Sequence, residues 1–122
     1  MKGYSACIEM LFQEADFAGR ARLARDAGYD AVEFWRWHDK DLSEIRGMRM
    51  PVAAAVVDST DEKKRDVFDR VGMLARESRA VFGEMVEESC AAVSEIGGRL
   101  LIITPGQALA ALSRGAQEDN II

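Results

Sequence analysis

Apolar positions in this chain follow two rhythms. Four short, nearly continuous apolar runs, GYSACIEMLF (3 to 12), YDAVEFWRW (29 to 37), PVAAAVV (51 to 57) and RLLIITPGQ (99 to 107), predict buried strands. Pro51 stands at the start of its run, where no ladder hydrogen bond is lost. Between the runs the spacing becomes helical. Phe17, Ala21, Ala24 and Ala27 recur after Asp16, a candidate N-cap, and Gly28 supplies the stop. DLSEIRGM reads as a short helix capped by Asp39 or Asp41, and SRGAQEDNII as the start of a last one. From about Arg79 to Ile96, Phe82, Met85, Val86, Ser89, Val93 and Ile96 trace one helical face. Only 59 to 79 is ambiguous, a charged stretch whose helical tendency breaks near Gly72.

Strands alternating with helices imply βα units, parallel pairing and right-handed crossovers. The fold class is therefore α/β with parallel (β/α) repeats. At 122 residues the chain is long enough for one domain with a hydrophobic core. The pattern predicts a single unit over 1–122 that stops in the first turns of a helix after the fourth strand, either small and complete or half of something larger.

Composition narrows the function classes. Net charge is −5 with both signs interspersed, so the basic stripe that phosphate contacts require is missing and no nucleic-acid partner is expected. No apolar run approaches a membrane span, and the N-terminus lacks a secretory pattern; no membrane partner and a cytoplasmic location are expected. Cys7 and Cys90 have no CxxC spacing and suit reduced, packed thiols. A single histidine excludes a three-His zinc centre. No GxGxxG, Walker loop, GxSxG or HExxH is present, which leaves nucleotide-binding, serine-hydrolase and zincin readings without support.

AVEFWRWHDKD (31 to 41) gathers both tryptophans, the only histidine and a glutamate at the end of the second strand run. Strand alternation turns Val32 and Phe34 to one side and Glu33, Trp35 and Trp37 to the other. A carboxylate in the second set is costly to bury unless it is hydrogen-bonded, metal-bound or solvated in a pocket. Glu33 is thus a functional candidate, the alternative being a structural ion pair with a nearby Arg or Lys. The same alternation sets Ser5, Cys7 and Glu9 on one side of strand one, with Glu9 near Glu33 if the strands are neighbours. His38 either contacts a substrate oxygen, as hydrogen-bond partner or acid or base, or is plain surface. Asp58 ends strand three where open sheets and barrels bind ligands, or else caps the next helix. TPGQ, with Gln107, ends strand four and reads equally as a turn.

Taken together, CIEMLF, AGYDAVEFWRWHDKDLSEI, PVAAAVVD and LLIITPGQ followed by LSRGAQEDNII resemble the N-terminal half of the hydroxypyruvate isomerase family, in the xylose-isomerase-like superfamily of TIM-barrel sugar isomerases and epimerases. The resemblance covers nearly the whole chain, and CIEMLF and VEFWRWHDKD are its most specific parts. It implies the first half, about four strands, of a (β/α)₈ barrel, with Glu9, Glu33, Trp35, Trp37, His38 and Gln107 as substrate-binding residues at the barrel top. The implied chemistry is a proton shift between adjacent carbons of a small hydroxy-carbonyl or sugar substrate through an enediol-type intermediate. A divalent cation, Mg²⁺ or Mn²⁺, is implied for a full-length parent.

The sequence departs from the family in length, since such a barrel takes roughly 250 residues. The family's catalytic glutamates and metal ligands correspond to positions beyond Ile122, so no catalytic residue and no metal ligand is assigned in this chain. DLSEIRGMRMP is also short for the helix the family places there. Turnover is expected of the parent, whereas this chain alone is expected to be inactive and to self-associate as a homo-oligomer through its open strand edges. Two other readings are a half-barrel interaction module without chemistry and a flavodoxin-like receiver domain with Asp58 as acceptor. The receiver lacks its acidic pair after strand one and its late lysine.

Overall fold

The computed structural model describes residues 3–122. Four strands, β1 (Ser5–Cys7), β2 (Ala31–Phe34), β3 (Val52–Val56) and β4 (Leu100–Ile102), form one parallel sheet in the order β1-β2-β3-β4. Helices α1 (Phe17–Asp26) and α2 (Leu42–Gly47) make the first two crossovers. Two helices, α3 (Glu62–Val71) and α4 (Arg79–Glu95), joined through a 3₁₀ turn at Arg76–Ser78, make the third, and α5 (Arg114–Ile121) follows β4. The α/β reading with parallel βα units holds. Among the described residues no helix is long and apolar enough to cross a membrane.

Every strand is shorter than its apolar run. In β1 the ladder stops because the Cys7 carbonyl accepts from the Met10 and Leu11 amides, closing a turn. Glu9 therefore lies in that turn and not in a strand, and the alternation that paired it with Glu33 does not reach it. β4 ends at Ile102, so Gln107 sits five positions beyond it in an exposed loop. In contrast, the caps behave as read: Asp16 accepts from the Gly19 amide, and Asp41, not Asp39, caps α2. The ambiguous stretch resolves into α3, capped by Asp61 and ended by Gly72.

Val32 and Phe34 are fully buried beneath the helices, with Ile8, Ala24 and Ile45 in the same core. Phe17 meets Phe34 edge to face, ring centres 5.5 Å apart. A smaller cluster of Val57, Phe68 and Met85 fills the space between β3, α3 and α4.

A polar tie fastens α3 to α4. Lys64 donates to Glu88 and lies 2.9 Å from Glu84, while the buried Ser59 hydroxyl donates to the other Glu88 oxygen. The hydrogen bond from Lys64, then that from Ser59, holds the Glu88 carboxyl below the usual range. A carboxyl depressed in the folded state adds stability above its unfolded pKa and loses it as pH falls through the folded value. Glu88→Gln should therefore flatten the fall in melting temperature between about pH 5 and pH 3. An acid limb of the melting profile that matches the parent's would refute this.

Candidate functional site at the C-terminal strand ends

The main chain leaves β2 at Phe34, and the next four residues bend over the end of β3. What holds them there is Asp58, 1% exposed. Its Oδ2 accepts from the Trp37 amide at 3.1 Å and the His38 amide at 2.9 Å, and lies 2.6 Å from His38 Nδ1. An oxygen already accepting two amides acts as acceptor to the ring too, so Nδ1 donates to it, and in the neutral ring Nε2 is the atom with the lone pair. The His38 side chain keeps about a fifth of its surface open, 21%. Asp58 thus does not cap α3, which Asp61 caps; it borders the cavity at the strand ends and orients an imidazole.

This arrangement is braced from behind by α4. Ser89, completely buried, accepts from the Trp37 indole Nε1 (3.1 Å) and the Asp58 amide (2.9 Å) and donates to the Asp58 carbonyl (2.9 Å). Each bonding position of the hydroxyl is used, which suits a polar group with no access to water. Trp37 is consequently a core residue, 6% exposed, on the helix side of the sheet. This corrects the expectation that it shares a wall with Glu33 and Trp35: alternation ends with the ladder at Phe34, and two residues later the chain has turned. The sequence signal for the brace was a serine on an otherwise apolar face of α4.

Trp35 is half exposed and borders a cavity of about 350 Å³ whose apolar lining includes Val56, Phe68, Met85 and Ile102. Arg36 and Arg65 stand at its polar side, and neither was singled out in the sequence. Arg36 donates to both oxygens of Asp69, at 2.9 and 2.8 Å, and its Nη1 is 4.0 Å from Asp58. The hydrogen bond to Asp69 raises the guanidinium pKa, with burial opposing it and the charges of Asp69, Asp58 and Asp39 assisting.

Glu33 stands in register with Cys7 on one side and Ala54 on the other, on the face opposite Val32 and Phe34. Among the described residues it has no cationic partner within 4.0 Å, so the structural ion pair does not account for it. Glu9 is different. Its carboxylate lies 2.7 Å from Lys40 Nζ, which also bonds the Arg36 carbonyl and Asp39 and sits over the Phe17 and Phe34 rings. Glu9 belongs to this ion pair on the α1 side and not beside Glu33. Gln107 is exposed and lies outside the lining of the cavity. The structure therefore sets Trp35 and Asp58 on the cavity lining and His38 on Asp58, with Glu33 one step down β2; it holds Trp37 against Asp58 by its amide with the ring in the core, and leaves Glu9 and Gln107 elsewhere.

The described residues bring no three His, Cys, Asp or Glu side chains together in a metal-binding group. Asp58, the carboxylate at the strand ends, has Oδ2 occupied by three donors, and these residues do not fit a cation site.

Neither the protein-family models nor the curated proteins include a match to this sequence. Among solved structures, the chain is similar to the crystal structure of an AP endonuclease, family 2, from Brucella melitensis, with a TM-score of 0.76 at 21% sequence identity. The match covers 98% of this chain and 46% of that one, so the chain spans less than half of the protein it resembles. At that identity the likeness establishes the fold: four parallel strands and their helices correspond to the first half of a TIM barrel.

Proposed function

We propose that this chain supplies the first four βα units of an isomerase or epimerase barrel that moves a proton between adjacent carbons of a small hydroxy-carbonyl compound, hydroxypyruvate or a short ketose or aldose. The observation that carries this reading is the oriented imidazole of His38 at the C-terminal ends of parallel strands, the face on which barrel enzymes place their sites. In the isomerisation, one proton leaves carbon for a carboxylate base and returns to the neighbouring carbon, while a hydroxyl proton moves to the former carbonyl oxygen. His38 Nε2 suits the oxygen-to-oxygen transfer, and Trp35 offers an apolar wall. Glu33, on the face of β2 opposite Val32 and Phe34, is assigned as a substrate-binding group. The carbon base is not assigned to this chain, nor is any ligand for the Mg²⁺ or Mn²⁺ that would stabilise an enediolate.

An endonuclease role, named for the solved relative, gains no support from a net charge of −5. The runner-up is a half-barrel that binds partners without chemistry. The two separate on one measurement: a protein extended through the downstream reading frame, incubated with hydroxypyruvate in D₂O, should show deuterium entering the carbon-bound positions by NMR. The 122-residue chain alone should show none. Absence of exchange in the extended protein on hydroxypyruvate and on short ketoses and aldoses, with and without Mg²⁺ or Mn²⁺, would sink the isomerase reading.

A further inference from the structure

The sheet has two open margins. Among the described residues β1 pairs only with β2 and β4 only with β3, all in parallel. In a parallel ladder alternate residues bond to opposite sides. Tyr4 and Ile8 bond towards β2, and Ile102 accepts from Val57 on β3. Ser5 and the amide of Cys7, whose carbonyl is taken up by the turn at Met10 and Leu11, and likewise Leu101 and Ile103, therefore face the open margins. Exposed edges are ordinarily guarded by charge, proline or a bulge. Here SAC and LLI carry none of these, and the sheet's one irregularity lies inside it, between Val32 and Glu33. Large apolar side chains accumulate at the same margins: Tyr4 is 75% exposed and Leu100 64%, with Ile102 and Ile103 also exposed. Leu100 and Ile102 stand in register with Ala54 and Val56 on the face away from the helices.

We infer that two copies of this chain close on each other into one eight-stranded parallel barrel, β4 of each copy pairing with β1 of the other. The chain superposes on less than half of a barrel protein, so its sheet makes about half of the required turn. Eight strands are the number at which a parallel barrel closes with its interior just filled by side chains. A two-fold rotation about the barrel axis keeps all strands pointing the same way, so both new junctions are parallel and equivalent and no edge remains. A two-fold axis across the sheet would instead join one pair of edges in antiparallel fashion and leave two open. Rotation about the barrel axis also brings a second Glu33 and a second His38 with its Asp58 to the same mouth, so any site there is shared by both copies. The inference stands apart from the isomerase reading, because an inactive protein could close in the same way.

Light scattering of the 122-residue chain at about 50 µM should give twice the 13.5 kDa chain mass. Hydrogen exchange should show the amides of Ser5, Cys7, Leu101 and Ile103 protected. Leu100→Lys and, separately, Tyr4→Lys alter exposed side chains and should leave the helical circular-dichroism signal intact. Each should weaken association by roughly tenfold or more and release those four amides. A monomer at this concentration would overturn the inference. So would a dimer in which the four amides exchange freely, or one that both lysine variants leave unchanged.

Discussion

Replacing Gly72 with alanine should lower the melting temperature by on the order of 10–15 °C, the largest effect expected of any single methyl group in this chain. Gly72 ends α3 at φ +55° and ψ −139°, a conformation that side chains with a Cβ rarely adopt. A Cβ there would overlap the Pro105 carbonyl oxygen and stand 2.8 Å from the Gly106 Cα, both backbone atoms with no rotamer to escape into. Gly106, itself at φ +97°, faces it in return, and the Met73 amide bonds the Pro105 carbonyl beside the crossing. Backbone strain and overlap together cost roughly 3 kcal/mol or more. A thermal melt of Gly72→Ala within 2–3 °C of the parent would show that the crossing yields and that this account is wrong.

Asp58→Ala should come second, at roughly 2–4 kcal/mol, because it takes the acceptor from the buried Trp37 amide and from the part-buried His38 amide and imidazole Nδ1–H. A purely structural carboxylate would lose stability too, so the imidazole must be read separately. The chain has one histidine, and its ring signals need no assignment. In the parent the Nδ1 proton should resonate far downfield and exchange slowly. In Asp58→Ala that signal should vanish, and Asp58→Asn, which keeps an acceptor oxygen without the charge, should restore part of the stability and a less shifted proton. An unchanged imidazole spectrum in Asp58→Ala would remove the grip on His38 from the argument.

Most of the architecture was legible because strand and helix periods are written into apolar spacing, and because Asp16, Asp41 and Gly28 mark element ends by local chemistry. Four parallel strands followed from that alone. The site was less legible because periodicity describes a residue only while the ladder lasts. Trp37 and Glu9 were assigned sides by alternation, yet each lies just past the last paired residue, where a turn had already rotated the chain. Gln107 likewise lies past the last paired residue of β4. Asp58 was flagged in position but not in role, since its partners, twenty residues upstream in the Trp37–His38 backbone and ring, adjoin only after the strands pair. Ser89 is thirty-one residues from Asp58, and no local rule joins them.

That serine has a further consequence. The orientation of His38 is set from the far side of the sheet: a helix that need not meet any ligand holds the Asp58 backbone and the Trp37 ring, and these hold the imidazole. Small displacements of α4 would thus re-aim a proton-carrying atom without altering one residue of the mouth. Substitutions along the outer helix layer, remote from substrate, become a means of tuning reactivity, and a library confined to the visible pocket would miss them.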